Sequence, residues 1–158
     1  LNHLKSFLIE NLAYQEDIGF SFLGIYPGIN LSKIPEMIGT PDSANLERPQ
    51  QQTLHYNAFI DHPTKGKIDF NKLSLLFWAF NNKPVKIIKL HSVYLDTGED
   101  AEAHKIFIHH LISDLIVKFG KPIKKSLRNG KELLLYQTKN SELYLWQTSD
   151  GLRIQIKK

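Results

Sequence analysis

The strongest constraint on the fold is an order of features that occurs twice along the chain. Residues 75–90, LLFWAFNNKPVKIIKL, and residues 143–158, LYLWQTSDGLRIQIKK, each hold an apolar run with one Trp, a polar turn, and a run that mixes Ile with Lys or Arg. Two such runs around a short polar turn are typical of an antiparallel hairpin. The chain therefore contains two Trp hairpins of similar composition, one in each half.

A helix stop precedes each Trp hairpin. The segments EMIGTPD (36–42) and VKFGKPI (117–123) both end an apolar helical pattern with Gly, one residue and Pro. Gly adopts the left-handed conformation that ends a helix, and Pro prevents its continuation. The sequence predicts an α+β domain of two α-β-β-β repeats, at about 24–95 and 96–158, with an antiparallel sheet and helices on one face. The alternative is that common helix stops and Trp hairpins coincide by chance.

Hydrophobic periodicity predicts the other elements. An opening helix over 2–14 carries Leu4, Phe7, Leu8 and Leu12 on one side, and a short helix capped by Asn30 or Ser32 follows. The longest helix spans 100–119, with Thr97 and Asp100 as a capping box. Its apolar stripe consists of Ile108, Leu111, Ile112, Leu115, Ile116 and Phe119. Residues 43–52 are predicted as a loop, 53–60 as a strand, and ELLLYQT, ELYLWQT and LRIQIKK as the last three strands.

Composition limits the chemistry of the chain. Its 158 residues are 42% hydrophobic, which suits one domain with a packed core. The absence of cysteine excludes a disulfide scaffold and a thiol nucleophile. The seven His residues include no pair at the i, i+4 spacing of a helical metal site, and no nucleophile motif occurs. The sequence predicts a non-catalytic protein without metal or cofactor.

Positive charge is concentrated in the second half. Residues 1–79 carry six Lys or Arg against eight Asp or Glu, and residues 80–158 carry fourteen against eight. The segment 118–131, KFGKPIKKSLRNGK, contains no acid, which favours an acidic partner: protein, nucleic acid or a membrane surface. Nucleic acid is disfavoured because Phe119 is the one aromatic residue in this segment. The plain alternative is that these cations complement a helix C-terminus.

Strand parity predicts a binding face in the last hairpin. Leu143, Leu145, Leu152, Ile154 and Ile156 fall on one side and suit packing against a helix. The opposite side is rich in Tyr, Trp and Arg, the residue types of protein-binding hot spots. The alternative is that another part of the chain covers these aromatic side chains. The predicted partner-binding residues are Tyr136, Tyr144, Trp146, Arg153, Gln155, Lys121, Lys124, Lys125 and Arg128.

The segment GIYPGINLSKIPEMIGTPD (24–42) contains a Gly, a polar-capped short helix and an Ile-Gly-x-Pro stop. In this motif and in element order, the chain resembles the tandem-repeat α+β fold of β-lactamase inhibitor proteins and of small outer-membrane assembly lipoproteins. The resemblance implies non-catalytic protein binding through the sheet. The expected function is that of a bacterial inhibitor or immunity protein that neutralises a partner. The alternatives are an envelope assembly factor and, second, a nucleic-acid-binding module.

The compartment stays open between cytoplasm and periplasm. No apolar stretch reaches the roughly 20 residues of a membrane span. The chain starts at Leu1 rather than Met, so a signal peptide or a lipidated Cys could have preceded it.

Overall fold

The computed structural model describes residues 2–93, 98–128, 131–148 and 151–158. Over these residues the helices are α1 (Asn2–Asn11), a 3-10 helix (Leu31–Lys33), α2 (Ile34–Ile38) and α3 (Gly98–Phe119). The strands are β1 (Leu12–Gln15), β2 (Gly19–Phe22), β3 (Ser43–Asn45), β4 (Gln52–His62), β5 (Gly66–Ala79), β6 (Val85–Val93), β7 (Ile123–Ser126), β8 (Glu132–Gln137), β9 (Glu142–Gln147) and β10 (Gly151–Lys157). Thr97 and the turn at Ser149 and Asp150 lie outside the described residues.

Eight strands form one antiparallel sheet, so the predicted α+β class with an antiparallel sheet is confirmed. The strand order is β3-β4-β5-β6-β10-β9-β8-β7, and β1 pairs with β2 in a separate hairpin. Strands β6 and β10 meet at the centre of the sheet, where Lys89 lies opposite Gln155. Each side of this centre is a meander of four strands, one more than the sequence predicted.

The two additional strands are the short edges β3 and β7. Their sequences, SAN and IKKS, show no alternation of apolar and polar residues, and all their side chains are exposed. Neither segment therefore carries a strand signal of its own, and each is ordered by pairing with its neighbour, β4 or β8. Lysines on β7 make this edge a poor template for pairing with another chain.

The buried core takes its sheet residues from one face. Leu54, Phe77, Ile88, Ile156 and Leu143 are aligned across five successive paired strands, and all are buried. Helices α1, α2 and α3 and the β1–β2 hairpin contribute the other members of the same cluster. This arrangement leaves the opposite face of the sheet outside the core.

Helix α3 packs its predicted stripe on the sheet with one correction. Leu111 and Leu115 are buried, but Ile116 is 37% exposed. The buried side extends instead toward the N-terminus through Phe107 and His104. Ile116 lies about 100° around the helix from Leu115, because an α-helix has 3.6 residues per turn.

Helix α1 is three residues shorter than predicted. The side chain of Asn11 donates a hydrogen bond to the carbonyl of Phe7 (2.8 Å), and Leu12 begins β1 opposite Phe22. Leu12 is buried as expected, but through the hairpin rather than the helix. Its apolar character fits both structures, so periodicity alone could not separate them.

Both helix stops are held by a tyrosine hydroxyl. Gly39 and Gly120 have positive φ angles of 101° and 87°. The hydroxyl of Tyr56 on β4 donates to the carbonyl of Gly39 (2.6 Å), and that of Tyr136 on β8 donates to the carbonyl of Gly120 (2.8 Å). Burial raises the pKa of both tyrosines. Each hydroxyl therefore satisfies a carbonyl that the end of the preceding helix leaves without an intrahelical partner.

Candidate functional site: the open face of the sheet

We define the open face as the side of the sheet that points away from the helices. In the described chain, the core cluster takes no residue from this face. Most of its side chains are partly exposed, and Leu135 on β8 is a buried exception. From β5 to β9 the open face carries Ser74, Leu76, Trp78, Ile87, Lys89, His91, Arg153, Gln155, Lys157, Glu142, Tyr144 and Trp146.

Aromatic rings on the open face lie beside cations. Trp146 is directly opposite Arg153. The Nζ atom of Lys89 lies 4.3 Å from the centroid of the Trp78 ring, and that of Lys157 lies 5.1 Å from the centroid of the Tyr144 ring. Cations over aromatic faces hold the rings and the ammonium groups in defined positions. The open face is therefore a pre-ordered aromatic and basic surface.

Shallow depressions flank Trp146. One, of about 200 Å³, is lined by Leu127, Leu133, Tyr144, Trp146, Gln155 and Lys157. A smaller one, of about 50 Å³, is lined by Lys89, Leu90, His91, Trp146, Arg153, Ile154 and Gln155. Neither is large enough for a typical small-molecule site, which needs about 300 Å³ or more. Depressions of this size suit single side chains of a macromolecular partner.

The charge of the open face is positive. Among the open-face residues from Ser74 on β5 to Trp146 on β9, the acid is Glu142, which accepts a hydrogen bond from the hydroxyl of Tyr144 (2.5 Å). Asp69, farther along β5 and opposite Phe59, is an acid at the far end of the same face. Burial, this hydrogen bond and the charge of Glu142 together raise the pKa of Tyr144 to about 12. Glu142 lies opposite Lys157 and keeps its negative charge, because the phenol is neutral. The three cations Lys89, Arg153 and Lys157 outnumber this one carboxylate, so the central part of the surface attracts anions.

The structure divides the predicted basic residues. Lys125 pairs with Leu133, which pairs with Trp146, so Lys125 lies at the edge of the open face. Lys124 pairs with Leu134, a residue of the core side, so Lys124 lies on the opposite side of β7 from Lys125. The exposed residues Lys121 and Arg128 lie before and after β7, outside the strand. The four predicted basic residues are thus not one patch, and of these four Lys125 lies on the open-face side of a strand.

Tyr136 requires a correction. It was predicted to share a face with Tyr144 and Trp146, but it pairs with the buried Leu143 and lies on the core face. The sequence of β8, ELLLYQ, does not show which of its side chains face the core, because leucines occupy both faces of the strand. The other predicted aromatic and polar residues, Tyr144, Trp146, Arg153 and Gln155, do lie on one face.

Sequence reasoning did not include Lys89 and Trp78 in the site. The run LLFWAF (75–80) is apolar at every position, which favours a central strand buried on both faces, yet Leu76 and Trp78 are partly exposed. Lys89 reaches this surface because β6 pairs with both β5 and β10. The alternation of Lys and His in KLH (89–91) was the available signal, and it could be used only with the strand order known.

The histidines whose side chains the structure describes do not assemble a metal site. Among the described residues, no three His, Asp or Glu side chains are close enough together to hold an ion. His104 is buried on α3, whereas the rings of His109 and His110 are exposed, with centroids 5.9 Å apart. No helix in the part of the chain that the structure describes is long and apolar enough to cross a membrane.

Comparison of the chain with protein-family models, with curated proteins and with solved structures found no match.

Proposed function

We propose that this chain is a non-catalytic protein that binds another protein through the open face of its sheet. The observation that carries the proposal is the asymmetry of the sheet: one face packs on the helices, and the other presents Tyr144, Trp146 and Arg153 partly exposed. Tyr, Trp and Arg dominate the energetics of protein interfaces because they combine large apolar area with hydrogen bonding. Placing them on paired strands also limits the entropy lost on binding.

The proposed partner has an acidic surface. Lys89, Arg153 and Lys157 lie on the central strands of the open face, and Lys125 lies at its edge. Complementary charge speeds association and sets orientation more than it adds affinity. A rigid sheet that covers an acidic surface of a toxin or enzyme would block access to it, so inhibitor or immunity protein is the specific form of the proposal. An envelope assembly factor is the alternative within protein binding.

A twofold relation in the strand register supports this proposal. A twofold axis through the Lys89–Gln155 pair exchanges β6 with β10 and β5 with β9 while keeping the pairing register. Under this exchange, Trp78 on β5 is equivalent to Trp146 on β9. The same relation pairs Tyr56 with Tyr136, whose hydroxyls both hold a helix-stopping glycine. We propose that the halves are repeats of one helix-and-strands unit. This organisation is also the basis of the resemblance to β-lactamase inhibitor proteins and small assembly lipoproteins.

Single-stranded nucleic acid is a second candidate ligand. Trp78 beneath Lys89 and Trp146 beside Arg153 provide flat rings next to cations, which is also how sheets bind unpaired bases. The two ligands differ in their dependence on salt. Affinity for an oligonucleotide should fall steeply and linearly on a log–log plot against salt concentration, because each phosphate contact releases counterions.

The experiment is a capture from a lysate of the source organism with the wild-type chain and with a Tyr144→Ala, Trp146→Ala, Arg153→Ala triple variant. The recovered protein is identified, purified and titrated against both chains by calorimetry. We expect the triple variant to fold and to bind at least about 30-fold more weakly, the equivalent of one hot spot of about 2 kcal/mol. Equal affinity of the two chains would place the binding surface elsewhere.

Matched controls separate the open face from general surface effects. Ile106→Ala and Val117→Ala remove exposed apolar side chains of α3, on the helix side, and should leave affinity unchanged. Lys125→Ala, at the edge of the open face, should slow association severalfold, whereas Lys124→Ala, of opposite parity, should not. Identical association rates for these two variants would contradict the charge argument.

A further inference from the structure

A groove of about 610 Å³ lies at the outer end of the sheet, where the β1–β2 hairpin meets the end of α3 and strands β7 and β8. Its volume is within the range of small-molecule sites, roughly 300 to 1,000 Å³. Its lining consists of Ala13, Tyr14, Phe20, Lys118, Phe119, Lys121, Ile123, Leu135, Tyr136, Gln137 and Thr138. These residues come from five elements, β1, β2, α3, β7 and β8, and from two connections.

Hydrogen bonds hold the wall formed by the β1–β2 hairpin. The backbone N–H of Phe20 donates to the Oγ atom of Ser141 (2.8 Å), and the side-chain amide of Asn140 donates to the carbonyl of Glu16 (2.6 Å). A Cβ atom at Gly19 would lie 2.4 Å from the Oγ atom of Ser141, so the approach is close. The hairpin is thus anchored to the β8–β9 turn, and the groove is formed before any ligand arrives.

The groove has an aromatic interior. Ring centroids are 5.2 Å apart for Tyr14 and Phe20, 5.4 Å for Phe20 and Phe119, and 5.8 Å for Phe119 and Tyr136. Phe20 and Tyr136 are buried, whereas Tyr14 is 41% exposed and Ile123 is 48% exposed. Exposed apolar groups beside a buried aromatic floor leave room for a flat apolar body to pack on rings.

The charged groups of the groove are all cations. Lys118 and Lys121 line it, and its described lining holds no Asp or Glu. The Nζ atom of Lys118 donates to the carbonyls of Ile9 and Leu12 (2.5 Å each), which leaves one of its three N–H donors. Lys121 is exposed at the groove. The carboxylate of Glu10 acts on Lys118 from outside the lining. An anionic group would therefore gain ammonium partners here, and Lys121 is the main one.

We propose that this groove binds a small aromatic carboxylate, with the ring against Phe119 and Tyr14 and the carboxylate at Lys121 and the remaining N–H of Lys118. Gln137 and Thr138 supply polar groups at the same groove. The groove adjoins the outer part of the open face, since Ile123 and Leu135 lie on that side of β7 and β8, but Tyr144, Trp146 and Arg153 do not line it. The proposal therefore does not depend on protein binding at those three residues.

Indole-3-acetate and its neutral analogue indole-3-acetamide are suitable probes. Their binding to the full, nitrogen-15-labelled chain is measured by titration with two-dimensional amide NMR. We expect indole-3-acetate to shift the amides of the lining residues with saturation, and the amide analogue to bind about tenfold more weakly, because charge-assisted hydrogen bonds are roughly twice as strong as neutral ones. Lys121→Gln should weaken binding of the carboxylate about three- to tenfold and leave the amide analogue unaffected.

Two variants of equal charge provide the control. Ile123→Asp places a carboxylate in the groove and should abolish detectable binding of indole-3-acetate. Val117→Asp adds the same charge near the end of α3, where Val117 is 87% exposed and outside the lining, and binding should persist. Equal binding of the acid and the amide, shifts outside the lining, absence of saturation, or retained binding by Ile123→Asp would each overturn the proposal.

Discussion

The two helix-stopping glycines provide a matched test of the fold. Gly39 and Gly120 occupy the same Gly-x-Pro motif, both have positive φ, and both accept a tyrosine hydrogen bond. They differ in their surroundings. A Cβ atom at Gly39 would lie 2.1 Å from the carbonyl oxygen of Asp61 on β4, whereas one at Gly120 would meet nothing within 4 Å. Gly39→Ala should therefore cost much more stability than Gly120→Ala.

The magnitudes follow from these two terms. Gly39 has φ 101° and ψ 179°, a region that is essentially restricted to glycine and costs other residues about 1–3 kcal/mol. The overlap with the Asp61 carbonyl forces a backbone shift, for which overpacking suggests about 1–3 kcal/mol more. Gly120→Ala retains only left-handed strain, about 1–2 kcal/mol. The central expectation is about 4 kcal/mol for Gly39→Ala and about 1.5 kcal/mol for Gly120→Ala.

Urea and thermal unfolding followed by circular dichroism measure both losses. In a chain of this size, 1 kcal/mol corresponds to about 2–4 °C, so we expect midpoints lower by roughly 8–16 °C for Gly39→Ala and 3–6 °C for Gly120→Ala. Gly66→Ala calibrates strain alone, because Gly66 has φ 74° and no atom within 4 Å of a Cβ. Losses for Gly39→Ala and Gly120→Ala that agree within about 0.5 kcal/mol would refute the steric argument.

Three further outcomes are expected. Leu115→Ala should cost about 2–5 kcal/mol in urea unfolding, and Ile116→Ala less than about 1 kcal/mol, because Leu115 is buried and Ile116 is 37% exposed; equal costs would invert the assigned face of α3. Tyr144 should titrate near 12 by NMR of labelled tyrosine, and Glu142→Gln should lower its pKa. Because the unfolded chain loses this proton near its ordinary pKa of 10.0 and the folded chain near 12, the contribution of Tyr144 to stability should fall as pH rises between these values; an unchanged pKa in Glu142→Gln would contradict the pairing. Tyr136→Phe should lower the free energy of unfolding by about 1–2 kcal/mol without affecting partner binding, because the Tyr136 hydroxyl donates to the Gly120 carbonyl on the core side. Weakened partner binding would instead show that Tyr136 belongs to the binding site.

Elements with a clear local period were predictable from the sequence. Strand β10 alternates buried Leu152, Ile154 and Ile156 with partly exposed neighbours, as its letters indicate. The helical repeat placed Leu111 and Leu115 of α3 correctly in the core. In both cases one face is apolar and the other polar, so a single register buries the apolar side chains.

Elements that depend on a neighbour were not predictable in this way. Strand β7 is polar and exposed and exists because β8 pairs with it. Tyr136 was assigned to the wrong face because β8 is apolar on both sides, and its side depends on pairing with Leu143. The partition of Lys124 and Lys125 follows from the same register.

The sequence by itself determined the helix stops, the Trp hairpins and the side of β9 and β10 that carries Tyr144, Trp146 and Arg153, because these features rest on residues close together in the chain. The tertiary structure alone decided that β6 pairs with β10, which brings Lys89 and its Trp78 contact onto the same open face. It also decided that the β1–β2 hairpin meets the β8–β9 turn and so encloses the aromatic groove. Strand pairing and hairpin docking join residues at least 58 positions apart, as in the pair Val93 and Gly151. Local periodicity carries no information about such partners, because backbone hydrogen bonds are the same for every residue.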